Sequence, residues 1–197
     1  MTTDSPAPPS PATDRADSRR PRLRALAAAA LVLALLAALA VGYRWWSHPD
    51  LLEDRGDAMG MAPAPVAQAA RAAAVTFPDV DAEDPTTITF RGASAVLDRD
   101  SARAEVSFFL CTWIQAEGVI GYVGGDLSTY CSDVRPITEG TELSYPSPSE
   151  YVVVLVTPTR PGTTHLTRVD LDYSLDASHL FRRGTDSIRM DLKIRAT

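Results

Sequence analysis

The amino-acid sequence predicts an all-β protein, an antiparallel β-sandwich of about seven strands and immunoglobulin-like size, preceded by one transmembrane helix. Three observations support this fold class. A stretch of 18 residues near the N-terminus, residues 25–42, contains no charged, amide or proline side chain. Much of the C-terminal part of the chain alternates polar and apolar residues with period two, as half-buried strands do. Its continuous apolar runs are short and lie between turn residues, which favours strands over helices.

The first segment, residues 1–24, contains five prolines and no aromatic residue. Such a composition buries too little apolar surface to offset the conformational entropy lost on ordering, so we predict a disordered tail. The tail carries five arginines and three aspartates, and the arginines cluster at the end that precedes the apolar stretch. Because basic residues flanking a membrane segment stay in the cytoplasm, we expect the tail to be cytoplasmic.

Residues 25–46 are predicted to be a transmembrane signal anchor. Eighteen residues of helix span about 27 Å, close to the thickness of a hydrocarbon core. Tyr43, Trp45 and Trp46 follow, where amphipathic rings favour the headgroup layer. Cleavage after Ala40 is the alternative, because residues 38–40 match a signal-peptidase motif. The apolar stretch is longer than an ordinary signal sequence, so we favour an uncleaved anchor in contact with the lipid bilayer.

Residues 47–74 are rich in alanine, proline and glycine, and no broad apolar face is present in them. This composition predicts a semi-stiff spacer between the membrane and an outer domain. The outer domain is predicted to cover residues 75–197.

The strands of the outer domain are predicted from their periodicity. Residues 188–195 keep strict alternation of apolar and polar side chains, which indicates a strand with one face in the core. Residues 108–111 and 152–156 are continuously apolar, which is typical of central strands covered on both faces. A Pro-Gly pair at Pro161 and Gly162 is typical of a type II turn. We expect this turn to join the valine-rich strand to residues 166–173 as an antiparallel hairpin.

The chain has two cysteines, Cys111 and Cys131. In an extracytoplasmic domain their natural state is one intradomain disulfide, which would close a loop of about 20 residues and add on the order of 3 kcal/mol of stability. A pair of reduced structural thiols is the alternative. Trp113 follows the first cysteine too closely to match the immunoglobulin pattern of cysteines and tryptophan.

The sequence contains no recognisable catalytic or cofactor motif. The formal net charge of −6 disfavours a nucleic-acid-binding protein. His48, His165 and His179 lack metal-ligand spacing, and we place His165 on a turn. The acidic residues between Asp79 and Asp84 lack the glycine and glutamate of a calcium loop. We therefore expect no enzymatic activity, no cofactor and no metal site.

Two features are candidates for binding. Residues 118–130 place Tyr122 and Tyr130 among glycines on a loop that the disulfide would constrain, and constrained aromatic loops are common recognition surfaces. Packing of both tyrosines beneath their own loop is the alternative. Phe181, Arg182 and Arg183 form a patch that is apolar and basic, suited to an acidic partner or lipid headgroups, unless the phenylalanine simply packs inward at a turn.

These features together predict a single-pass protein of the cytoplasmic (cell) membrane with its N-terminus inside and its β-domain outside. We expect an interaction module, an accessory subunit of a cell-envelope assembly that binds an envelope protein and no nucleic acid. The alternative is a cell-envelope glycan-binding domain or a small hydrolase that uses surface carboxylates.

Overall fold

The computed structural model describes residues 20–47, 51–52, 58–60, 62–77, 79, 85–114, 122–175 and 183–197. The chain divides into two compact units, Met1–Tyr43 and Arg44–Thr197. Within the described residues there are one long helix and ten strands, and the strands form two five-stranded sheets.

The helix, α1, covers Arg20–Ser47 and therefore begins inside the segment that we predicted as a disordered tail. Its span Leu26–Trp46 has 21 residues and a mean hydropathy of 2.4, and none of it is buried within the protein. Its large apolar side chains from Leu26 to Trp46 are all exposed, so this span has no apolar stripe facing a core. The helix is long and apolar enough to cross a membrane, as the sequence predicts.

The first sheet, called sheet A, has the strand order β1-β10-β9-β3-β7, and the second, sheet B, has the order β5-β2-β8-β4-β6. All neighbouring strands are antiparallel except β1 and β10, which run parallel. This architecture confirms the predicted antiparallel β-sandwich. The strands are β1 (Ala58–Gly60), β2 (Arg71–Ala74), β3 (Thr86–Asp100), β4 (Glu105–Trp113), β5 (Tyr122–Gly124), β6 (Cys131–Pro136), β7 (Glu142–Tyr145), β8 (Glu150–Thr157), β9 (Gly162–Leu175) and β10 (Arg183–Ala196).

The main core lies between the two sheets and follows the period-two pattern of the sequence. On β10, every second residue from Asp186 to Ala196 is buried and the residues between them face outward. The predicted alternation of residues 188–195 is confirmed. The core's largest buried side chains are Ile88, Phe90, Leu110, Leu143, Val152, Leu166, Leu171, Tyr173 and Leu192.

The valine-rich strand β8 occupies the centre of sheet B, as its continuous apolar run predicts. Val152, Val153 and Val154 are all fully buried. Because successive side chains of a strand point to opposite faces, both faces of β8 must be covered. Val152 and Val154 belong to the core between the sheets, whereas Val153 belongs to a second apolar cluster.

The predicted hairpin between β8 and β9 is wrong. The two strands belong to different sheets, so residues 158–161 cross from sheet B to sheet A. This crossing packs against the one from β3 to β4, where the N–H of Ser101 donates to the Thr163 carbonyl at 2.9 Å. A Cβ on Gly162, which has φ +154°, would lie 2.7 Å from the Ser101 backbone, so this close approach needs glycine. Pro161 and Gly162 predict that the chain changes direction, but they do not specify the strand with which β9 pairs.

The predicted spacer over residues 47–74 is also wrong for most of its described residues. Leu52 is buried in the main core, β1 pairs with β10, and β2 lies between β5 and β8 inside sheet B. The β-domain therefore begins about 25 residues earlier than predicted. The strand Arg71–Ala74 has three alanines and no alternation, so its pairing is visible only in three dimensions.

Candidate interaction surface

The face of sheet B that points away from sheet A carries the second apolar cluster, which we call the outer-face cluster. Its centre is buried and its periphery is half-buried. The buried members are Ala72, Ala74, Cys111, Leu127, Cys131, Tyr151 and Val153, and the half-buried members are Phe77, Phe109, Trp113, Tyr130, Val134 and Leu155.

Strand register brings the members of the outer-face cluster together. Cys111 on β4 lies opposite Val134 on β6 and opposite Tyr151 on β8. Phe109, two residues earlier on β4, lies opposite Val153. Residues directly opposite each other on neighbouring strands point to the same face, so these side chains form one continuous apolar surface.

The predicted disulfide between Cys111 and Cys131 is present, with the two Cα atoms 5.3 Å apart. It joins β4 to β6, an edge strand of sheet B. A closed loop of 20 residues contributes about 3 kcal/mol in the chain-entropy model. The disulfide therefore holds this edge of the outer-face cluster.

Within the loop that the disulfide closes, the turn Leu127–Thr129 is capped by Asp126. Its Oδ1 atom accepts hydrogen bonds from Ser128 N at 3.0 Å and from Ser128 Oγ at 2.7 Å. The hydroxyl bond first, and then the backbone bond, lower the pKa of the Asp126 carboxyl below its ordinary value, so the capping group is the carboxylate.

The structure places the two predicted loop tyrosines differently. Tyr130 packs against the outer-face cluster and remains half-buried, and its N–H donates to the Leu127 carbonyl at 3.0 Å. Tyr122 begins β5, where its backbone lies opposite Ala73, but its side chain lies outside the described residues. Residues 115–121 of the same loop also lie outside them.

The predicted basic and apolar patch is described only in part. Phe181 and Arg182 lie outside the described residues. Arg183 is exposed at the start of β10, opposite Ser174 on β9.

Sequence reasoning missed most of the outer-face cluster. Phe109, Cys111 and Trp113 stand two residues apart, and such spacing places all three on one face of a strand. That signal was available in the sequence. It did not distinguish the face that packs on sheet A from the outer face, because both faces of β4 are apolar.

The free edge of sheet B next to this surface is polar. Arg135 on β6 forms ion pairs with Glu150 on β8 and, at 3.3 Å, with Asp133. Pro136 ends the same strand. Charged residues and proline on an edge strand oppose pairing with a further strand. This edge of sheet B is therefore protected against further pairing, and the neighbouring outer face is apolar.

The outer face of sheet A is polar and contrasts with that of sheet B. His165, which we placed on a turn, lies within β9, and its Nε2 atom is 2.7 Å from Asp191 Oδ1. Its Nδ1 atom is 3.4 Å from Asp98 Oδ2. Hydrogen bonds to Asp191, from Lys193 first and then from His165, lower the pKa of the Asp191 carboxyl. These polar contacts join β3, β9 and β10 on the outer face of sheet A.

Among the described residues, no group of three His, Cys, Asp or Glu side chains is placed to hold a metal ion. Asp79 is exposed. The other members of the acidic stretch, Asp81, Glu83 and Asp84, lie outside the described residues, as do His48 and His179.

No protein-family model, curated protein or solved structure matches this chain. Its function is therefore inferred from its own residues and their geometry.

Proposed function

We propose that this protein is a single-pass membrane protein whose β-sandwich acts as an interaction module outside the cytoplasmic membrane, as an accessory subunit of a cell-envelope assembly. The observation that carries the proposal is the outer-face cluster, an aromatic surface on sheet B with a half-buried periphery. The proposed occupant of this surface is an envelope protein that presents apolar side chains.

The apolar helix supports the membrane location. Its side chains from Leu26 to Trp46 are exposed, and a soluble helix would bury or lack such a surface. Five arginines precede the apolar span Leu26–Trp46 and one, Arg44, lies in the last turn of the helix. This asymmetry favours an N-terminus in the cytoplasm and a β-domain outside.

The disulfide supports the same orientation. Disulfides persist in oxidising compartments, and the cytoplasm keeps thiols reduced. Cys111 and Cys131 are bonded to each other, and no free cysteine is present among the described residues.

The chemistry of the outer-face cluster supports a protein partner. Four of its six half-buried members are aromatic: Phe77, Phe109, Trp113 and Tyr130. The cores of protein interfaces are enriched in aromatic residues.

The test introduces a charge into the surface while sparing the main core. Val134→Glu places a carboxylate on β6 within the outer-face cluster, and Ser144→Glu places one at an exposed position on β7 of sheet A as the matched control. The full chain is crosslinked in intact cells and purified by a tag, and the proteins bound to it are quantified. We expect Val134→Glu to reduce one specific partner at least tenfold, roughly 1.4 kcal/mol of binding free energy, and Ser144→Glu to retain it.

Melting curves of both purified variants are measured, so that unfolding is not mistaken for lost binding. Equal partner yield from the two variants would overturn the proposal, as would a wild-type chain with no partner above background. Recovery of a cell-wall glycan in place of a protein, lost with Val134→Glu, would assign the surface to glycan binding instead.

A further inference from the structure

The unit Arg44–Thr197 contains a cavity of about 330 Å³ on sheet A that the proposed function does not use. It is lined by Trp46, Arg91, Ser174, Leu175 and Arg183. Two of these five residues are arginines and one is a serine. The side chain of Leu175 is buried in the main core, so the accessible apolar wall is the indole of Trp46. Such a combination of two cations, one hydroxyl donor and an apolar wall fits a ligand with an anionic head and an apolar body.

Strand register explains why the two arginines meet. Arg183 at the start of β10 lies directly opposite Ser174 on β9, and Ser174 lies opposite Thr89 on β3. A register shift between Phe90 and Gly92 leaves Arg91 without an opposing residue on β9. A bulge of this kind redirects a side chain, and here it accompanies a second guanidinium beside Arg183.

The two arginines differ from other arginines of the domain in their electrostatic surroundings. Arg168 and Arg135 each form ion pairs with carboxylates. In the part of the chain that the structure describes, neither Arg91 nor Arg183 has a carboxylate within ion-pair distance. Two like charges that share a cavity repel each other, and a bound anion would remove that repulsion. The planar guanidinium matches the oxygens of a phosphate group in bidentate geometry.

The position of Trp46 in the chain indicates which kind of molecule would supply such a phosphate group. Trp46 is the last residue of the apolar span Leu26–Trp46 and the next-to-last residue of α1. A tryptophan at the end of a membrane span favours the headgroup layer, where lipid phosphates lie. Any site that Trp46 lines is therefore within one side chain of that layer.

We propose that this cavity binds the phosphate of an anionic phospholipid in the outer leaflet, with Arg91 and Arg183 on the phosphate oxygens, Ser174 as a hydroxyl donor, and Trp46 against the apolar part of the lipid. The inference rests on the proposed membrane anchoring. A phosphate held by free arginines is chemically the same whether it belongs to a lipid or to a soluble ion, so the experiment separates the two sources.

The full chain is purified in a non-ionic detergent and titrated with phosphatidylglycerol, and bound lipid is counted by native mass spectrometry. The test variant is Arg91→Gln with Arg183→Gln. The matched control is Arg135→Gln with Arg168→Gln, which removes two exposed arginines that are already paired. We expect the test variant to bind phosphatidylglycerol about 30-fold more weakly, the combined effect of two basic side chains at an anionic surface, and the control to bind as the wild type does.

Equal lipid affinity of the test variant and the wild type would overturn the proposal, as would a wild-type chain that binds no phosphatidylglycerol. Displacement of the lipid by inorganic phosphate alone would assign the cavity to a soluble anion and overturn the lipid assignment. Both double variants carry changes at exposed positions only, and their melting curves are compared to confirm folding.

Alkaline carbonate washing of membranes that contain the chain tests the membrane anchoring separately from phospholipid binding by the cavity. Release of the chain into the soluble fraction would refute the membrane anchoring itself. Retention in the membrane together with absent lipid binding would refute the cavity assignment alone.

Discussion

At the scale of single residues, Asp186 connects the beginning of the β-domain to its last strand. It occupies an inward position of β10 and is buried. Its Oδ2 atom accepts hydrogen bonds from the N–H of Leu52 at 2.9 Å and from the hydroxyl of Tyr173 at 3.3 Å. The other inward residues of β10 are apolar, and a buried carboxyl group among them needs such donors. Position 186 therefore requires a side chain that accepts hydrogen bonds.

Asp186→Ala should lower the free energy of unfolding by about 2 kcal/mol, because buried donors lose their acceptor. The matched control is Asp172→Ala on β9, whose partner Thr185 is an exposed hydroxyl and whose loss should change the free energy by less than about 0.5 kcal/mol. Urea denaturation of the two variants and the wild type measures both effects. Equal midpoints for the two variants would show that the Asp186 contacts contribute nothing.

At the scale of elements, β2 shows how a strand without periodicity holds a central place. Ala72 and Ala73 are fully buried, one in each apolar cluster, and β2 pairs with β8 on one side and β5 on the other. Removing β2 would expose the backbone of β8 and both apolar faces beside it. The strand is therefore part of the fold although its composition is typical of a linker.

A chain truncated to residues 75–197 should consequently fail to fold, whereas a chain of residues 51–197 should fold. The shorter chain lacks β1, β2 and the buried Leu52. Circular dichroism and cooperative urea unfolding distinguish the two outcomes, and the longer chain serves as the control. Cooperative unfolding of residues 75–197 with the stability of the longer chain would contradict this assignment of the domain boundary.

At the scale of the whole molecule, the chain divides into two compact units, Met1–Tyr43 and Arg44–Thr197. Most of the exposed apolar helix belongs to the first unit, and the disulfide and both sheets belong to the second. Under the proposed function, the first unit anchors the chain and the second presents the outer-face cluster to a partner. Anchoring restricts encounters to the membrane surface, which raises the effective concentration of a partner in the same membrane.

The proposed orientation predicts that a reporter enzyme active only in the cytoplasm, fused after Thr197, will be inactive. The same reporter fused after residue 24 lacks the apolar span Leu26–Trp46 and should be active, which controls for its expression. Immunoblots of both fusions normalise activity to protein amount. Cytoplasmic activity of the fusion after Thr197 would reverse the orientation.

Features that depend on local composition and periodicity can be predicted from the amino-acid sequence alone. The apolar stretch before Tyr43 predicts α1 because a membrane-spanning helix needs only uninterrupted apolar residues. Alternation in residues 188–195 predicts β10, and the valine run predicts the central strand β8. The two cysteines predict their disulfide because neither has another partner.

Features that depend on which distant segments meet are visible only in the tertiary structure. It assigned β8 and β9 to different sheets, placed β2 inside sheet B, and gathered Phe109, Trp113 and Val134 on one outer face. It also brought Arg91 and Arg183 to one cavity, although they are 92 positions apart in the sequence (183 − 91). Strand pairing joins residues that are remote along the chain, and local patterns carry no information about the partner of a strand.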